Sequence, residues 1–208
     1  KQMFQGPLKQ TNGALDLAVS GLGFFTLGSN NNTENRFYTR DGSLGLSSNG
    51  EVKNQQGLNL LAHPVIGDAT YNPAIFEKVI IQPNITDALG NTRILTNINV
   101  SSSGVLKAIY GLDEEVVIAK IPLTSFENIQ SLQSEGNNLF TPTTESGEPI
   151  VGIALEKNMG EIIPGFLEGS NVEITDELVK MLKYQQAYSG NSRLLQTEID
   201  ITRRLIEA

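Results

Sequence analysis

Over most of the chain, apolar and polar residues alternate with a period of two. Leu15, Leu17 and Val19 are separated by Asp16 and Ala18, which is strand periodicity. Gly21 and Gly23 punctuate it, and residues 24–27 (FFTL) form a second apolar run. Residues 29–35 are polar and turn-rich, residues 36–40 are strand-like again, and Asp41-Gly42 signals a tight turn. Residues 78–81, 94–100, 150–155 and 161–163 predict further strands, and residues 115–121 (EVVIAKI) predict the strongest, closed by Pro122. Within residues 125–134, Phe126, Ile129 and Leu132 recur every third position after Ser125, which predicts a short capped helix.

One stretch echoes another. Residues 46–53 (LSSNGEVK) resemble residues 100–107 (VSSSGVLK): an apolar residue, a Ser/Asn turn with a glycine, then a strand ending in lysine. Two ordinary hairpins account for this, and two copies do not make a repeat architecture.

After Ser170 the period changes to about 3.5. Ile174, Leu178, Met181, Gln185, Tyr188, Ser192, Leu195, Ile199, Thr202 and Ile206 step alternately by four and three. Leu182, Leu194 and Leu205 widen this stripe, and Gln185, Ser192 and Thr202 interrupt it. Thr175 is a candidate N-cap with acids in the first turn, and Arg203 and Arg204 sit in the last turn, where the helix dipole favours cations. Gly190 is the weak point. A helix of about 32 residues is about 48 Å long, whereas a β domain of this size is about 35 Å across. Part of the stripe must then be covered by another helix. The organisation expected is an arm or linker (1–13), a β-rich body (14–169) with a short variable middle (65–112), and a C-terminal helix (170–208). The fold class is mainly β with one long C-terminal α-helix that forms a coiled coil.

Composition narrows the function. The 208 residues carry a net charge of −8, which disfavours nucleic acid, the only basic cluster being Arg203-Arg204 with Arg193 nearby. There is no cysteine, hence no disulfide, thiolate metal site or cysteine nucleophile. No apolar run is long enough to span a membrane, and no signal peptide is visible.

The motifs then resemble those of a known family. Residues 10–27 (QTNGALDLAVSGLGFFTL), with Leu15, Asp16, Leu17, Gly21, Gly23, Phe24 and Phe25, are similar to the opening motif of bacterial flagellar rod and hook proteins. Residues 37–61 resemble their next block through Tyr38, Thr39, Arg40 and Gly42. Residues 167–188 resemble their C-terminal signature: Leu167, Glu168, Ser170, Asn171 and Val172, then Glu177, Leu178 and Val179, then a Gln-rich helix with Ala187-Tyr188. Residues 121–147 follow the pattern between these blocks. Three departures stand out: no helix precedes the opening motif in this sequence, Asn12-Gly13-Ala14 replaces Gly-Asn-Pro, and Gln185-Gln186 replaces Gln-Arg.

The resemblance implies an axial structural subunit of the flagellum, exported without a cleaved signal peptide, with no cofactor. Its partners would be copies of itself, neighbouring rod or hook proteins and the flagellar export apparatus. The interface seam would be Ile174, Leu178, Met181, Leu182, Tyr188, Leu195, Ile199 and Ile206. Residues 64–112 are too short for the extra domains of large hook proteins, which favours a rod subunit; a short hook protein is the alternative. An exported β-rich adhesin or binding module is the alternative of another class. An enzyme is disfavoured: His63, the sole histidine, precedes Pro64 in what reads as a turn, Glu114-Glu115 reads as a solvated pair, and no helix follows Gly21-x-Gly23 as a dinucleotide loop requires.

Overall fold

The computed structural model describes residues 5–29, 36–66, 70–73, 75–86, 90–111, 114–156, 158–171 and 174–207. Most of the turn at 29–35, and Val172, lie outside these. Two compact units are present, residues 1–169 and residues 170–208.

The first unit is built of strands. In chain order they are β1 (Leu8–Gln10), β2 (Asp16–Ser20), β3 (Phe25–Gly28), β4 (Arg36–Thr39), β5 (Gly42–Leu46), β6 (Val52–Asn54) and β7 (Asn59–Ile66). The middle carries β8 (Thr70–Tyr71), β9 (Glu77–Lys78), β10 (Asn84–Thr86), β11 (Thr92–Val100), β12 (Val105–Tyr110) and β13 (Glu114–Lys120). The remainder are β14 (Pro122–Ser125), β15 (Gln133–Gly136), β16 (Leu139–Thr141), β17 (Ile150–Ile153), β18 (Glu161–Pro164) and β19 (Phe166–Glu168). Among the described residues the long sheet runs β10-β11-β12-β13-β7-β3-β4-β16-β15, with β2, β5, β6, β8, β9 and β18 branching from it. Strands β1 and β19 form one separate pair, and β14 and β17 another.

Two apolar clusters hold the body. The larger contains Leu17, Phe25, Leu60, Leu106, Ile121 and Ile162. The smaller gathers Phe24, Tyr38, Phe126 and Leu132, with Tyr38 edge-on to Phe126 at 4.9 Å. The alternation at Leu15–Val19 does not mark an inside and an outside: Leu17, Ala18 and Val19 are all fully buried. Strand β2 is paired on both edges, by β18 and β5, and the burial of Ala18 as well as of Leu17 and Val19 means that both its faces are covered too.

Several local readings change for physical reasons. Leu8–Gln10, within the stretch read as an arm, is a strand because β19 supplies antiparallel partners: Leu8 with Glu168, Lys9 with Leu167, Gln10 with Phe166. The helix expected over 125–134 is reduced to one 3-10 turn at Ile129–Ser131. Ser125 is no cap, since it ends β14, paired with Ile150, and Gln133 onward is drawn into β15. Phe126 and Leu132 serve the aromatic cluster instead. His63 is not in a turn; it lies within β7 and is buried. Glu114 and Glu115 open β13 with their side chains still partly exposed, and each has an ion-pair partner, Arg93 at 3.0 Å and Lys107 at 2.8 Å.

The two echoing turns share more than a hairpin. Gly50 and Gly104 both have left-handed φ, 75° and 85°. Each amide donates to the serine three residues back, Ser47 at 2.9 Å and Ser101 at 2.8 Å, and each carbonyl accepts from an isoleucine amide, Ile81 at 2.7 Å and Ile121 at 2.8 Å. A Cβ on either glycine would lie within 3 Å of that isoleucine's carbonyl oxygen. The sequence similarity therefore encodes the same turn docked in the same way.

The second unit contains one helix, α1 (Ile174–Ile206), 33 residues long and so about 50 Å. It starts one residue before Thr175, which therefore lies inside the first turn rather than at the cap.

Candidate functional site

The family-like motif residues of the body converge on one place. Arg40, just beyond β4, sends its guanidinium to four oxygens. Nε donates to Glu168 Oε2 at 2.8 Å, Nη1 to the carbonyls of Gly21 (3.0 Å) and Gly23 (3.2 Å), and Nη2 to Val19 O at 3.1 Å. Three of these are backbone carbonyls, Val19 in β2 and Gly21 and Gly23 in the β2–β3 turn. Gly21 and Gly23 have φ of 104° and 134°, a conformation that aims their carbonyls inward at little steric cost. The planar five-donor fork of arginine suits this arrangement, and a lysine cannot reproduce it.

Glu168 closes the other side. Its Oε1 accepts from Gly6 N at 2.8 Å, next to the β1–β19 pair. Gly169 N donates to Pro7 O, also at 2.8 Å. Residues 6–7 and 168–169 thus meet at one point, and Arg40 ties that point to the β2–β3 turn. Around it Leu15, Leu17, Phe24, Phe25, Tyr38 and Thr39 are buried. Asp16 contributes through its backbone, its carbonyl accepting from Gly165 N at 2.7 Å. Gly42 is not the tight turn expected. It opens β5 opposite Leu17, and a Cβ there would lie 1.8 Å from Leu17 O. The turn before it is made by Asp41, whose Oδ1 accepts from Ser43 N at 3.0 Å. Leu167 is half-buried in β19, while Ser170 and Asn171 are exposed. The motif reading named Arg40 and Glu168 without a role. Gly6 and the Val19 carbonyl were missed, because no local pattern reports a contact across the whole body.

The helix offers the opposite kind of surface. Every described side chain of α1 is exposed except Ser192, which is half-buried. Ile174, Leu178, Met181, Leu182, Tyr188, Leu195, Ile199 and Ile206 are all exposed, from 48% at Met181 to 81% at Ile206. Glu177 is paired with Lys180 at 2.7 Å, and Val179 is half exposed. Thr202 turns its hydroxyl back to Glu198 O at 2.8 Å, which satisfies the polar group and leaves a methyl for the row. Leu194 and Leu205 do not simply widen this stripe. At about 100° per residue they join Ile201 in a second row, roughly 100° around the axis from Leu195 and Ile206; all three are exposed.

Among the described residues no cluster of His, Asp and Glu could hold a metal. A groove of about 210 Å³ on the body is lined by Ala62, Pro64, Glu77, Lys78, Val79, Ile80, Ile118 and Ala119, without a nucleophile and base in one place.

Residues 163–208 match the family model described as the C-terminal region of the flagellar basal body rod FlgEFG proteins. Residues 18–108 match that of the flagellar hook protein FlgE/F/G D1 domain. The flagellar basal-body rod protein FlgG of Buchnera aphidicola (subsp. Acyrthosiphon pisum) is 31% identical over 202 residues, covering 97% of this chain and 67% of the relative. The chain belongs to the flagellar rod and hook protein family. Rod protein FlgG of Borreliella burgdorferi is 33% identical over 194 residues, covering 93% of this chain and 64% of its own length. Hook protein FlgE of Salmonella typhimurium is 32% identical over 112 residues, covering 54% of this chain and 28% of the relative. The chain thus spans about two thirds of the rod relatives it matches. The D1 match begins in β2, and the C-terminal match begins in β18 and takes in β19 and α1, with residues 109–162 between the two. No described helix is long and apolar enough to cross a membrane.

Proposed function

We propose that the protein is a structural subunit of the flagellar rod that joins copies of itself and neighbouring axial proteins through α1. The observation that carries this is the exposed apolar row from Ile174 to Ile206, a row that water does not favour leaving uncovered. The second row of Leu194, Ile201 and Leu205 supports at least two helical neighbours, one for each row. Contacts of one surface with a different surface on the next copy, when they do not close into a ring, build open helical assemblies. The β body sets the spacing of subunits. The tube would transmit torque and enclose the export path, and the subunit would reach it through the flagellar export apparatus. This reading calls for no cofactor and no catalytic step.

The rod is favoured over the hook because rod relatives align over 93% and 97% of the chain and the hook relative over 54%. A short hook subunit is the second reading, supported by that shorter match.

The test is to supply a helical segment ahead of Lys1 and follow light scattering and negative-stain images. Filaments are expected. A protein that stays dispersed with both helices formed would overturn the reading and favour a non-polymerising binding module.

A further inference from the structure

His63 sits at a break in a β ladder. On one edge of β7, Leu61 and Ala62 pair with Lys78 and Glu77, and Val65 and Ile66 pair with Tyr71 and Thr70. Between them lie His63 and Pro64, and a proline has no N–H to donate. The bond that spans the gap comes from a side chain: His63 Nδ1 lies 2.7 Å from Ile75 O. Only a donor can face a carbonyl, so Nδ1 carries the proton and Nε2 carries the lone pair in the neutral ring. The ring is stacked at 6.0 Å on Tyr71 and packed at 4.7 Å against Phe76. Arg36 covers Phe76 with its guanidinium carbon 4.0 Å from the ring centre.

We infer that His63 is an acid-sensitive latch, whose protonation releases the chain around Tyr71, Ile75 and Phe76 from β7. A second proton would go to Nε2, which has no acceptor among the described residues. It would also place a cation in a buried pocket that already holds one. Arg36 faces it from β4. Lys120 of β13 is its cross-strand partner, so the two side chains share a face of the sheet. Tyr71 faces it from β8 as an uncharged ring. On β9, Lys78 is bonded to Glu51 at 2.6 Å, and Glu77 is paired with Ala62, whose side chain alternates to the other face. Burial, then the charge of Arg36, hold the His63 ring below its ordinary 6.5, against the Ile75 bond that raises it.

The sign follows from linkage. A base held below its ordinary value favours the closed form above about 6.5, and that advantage is lost as pH falls. In this window the open fraction rises as pH falls, by at most about tenfold per pH unit for a single proton. Because His63 is the sole histidine, its ring resonance can be followed without ambiguity. We expect ring-to-ring contacts between His63 and Phe76, and protection of the amides of β8 and β9, which pair with β7, after correction for intrinsic exchange, to be lost together along that titration. His63→Phe, which has neither the titrating ring nor the Ile75 bond, should show the same protection at pH 5 as at pH 7.5. Arg36→Gln should move the ring's own titration midpoint upward and lessen the acid loss of protection. Equal protection at pH 7.5 and pH 5 in the natural protein, or the same acid loss in His63→Phe, overturns the inference. Neither readout depends on filament formation.

Discussion

Arg40 and Glu168, 128 positions apart in the chain, meet at 2.8 Å at the closure of the β body. The pair is mostly shielded, with 20% and 12% of the side chains exposed. Removing one partner leaves the other's charge and several backbone groups without their bonds. Arg40→Ala and Glu168→Ala are each expected to lower body stability by about 2–4 kcal/mol in chemical denaturation. Arg40→Lys keeps the charge but loses the fork, and should fall between the natural protein and Arg40→Ala. Full stability in Arg40→Ala would show that the closure rests on the β1–β19 ladder alone.

Two glycines make opposite predictions. Gly42→Ala puts a methyl into the Leu17 carbonyl and should destabilise by about 3 kcal/mol or more, since the clash is with backbone. Gly190→Ala meets nothing within 4 Å and should raise helix stability by about 0.8–1 kcal/mol, visible as increased ellipticity. A harmless Gly42→Ala would contradict the close approach of β5 to β2.

Glu51 lies between two lysines, Lys53 at 2.8 Å and Lys78 at 2.6 Å. Hydrogen bonds from Lys53, then from Lys78, hold its carboxyl down to about 2 from 4.5. A lowered carboxylate contributes stability above its unfolded value and loses it as pH falls through the folded one. The loss should run from about pH 4.5 to about pH 2. Glu51→Gln should flatten the acid limb of the stability profile in that window, and added salt should reduce the difference. Superimposable profiles would remove Glu51 from the acid response.

The helix rows can be separated by charge. Leu195→Asp should abolish self-association, measured by sedimentation, while leaving the melting of the body unchanged. Leu194→Asp, on the second row, should weaken higher assembly yet spare the first pairing. If both variants assemble like the natural protein, the rows are not the seam.

Most strands were legible because their signals are local: alternation at 94–100, the run at 115–121 with Pro122 behind it, the two Ser-rich turns with glycine at the left-handed position. The helix was legible for the same reason, since its period needs no partner to be seen. What stayed hidden depends on tertiary neighbours. Leu8–Gln10 carries no strand pattern of its own and becomes one only beside β19. The turn at Ile129–Ser131 lost its longer helix to β14 and β15, which claim the flanking residues for their ladders. Gly42 reads as a turn residue beside Asp41, while its real requirement is a neighbour's carbonyl at contact distance. At the closure, motif resemblance marked Arg40 and Glu168, but their meeting, and the part of Gly6, follow only from the folded path. The second helix row was available in the sequence, and it was missed by grouping Leu194 and Leu205 with the residues next to them instead of by angle.

The hydrogen bond from Gly169 to Pro7 makes the body a cassette fastened to one post. Such a module can be trimmed, enlarged or exchanged for a foreign one without moving the post. An engineer wanting to decorate this protein should therefore insert cargo in the hairpins remote from that doorway, and leave the short β1–β19 clasp untouched.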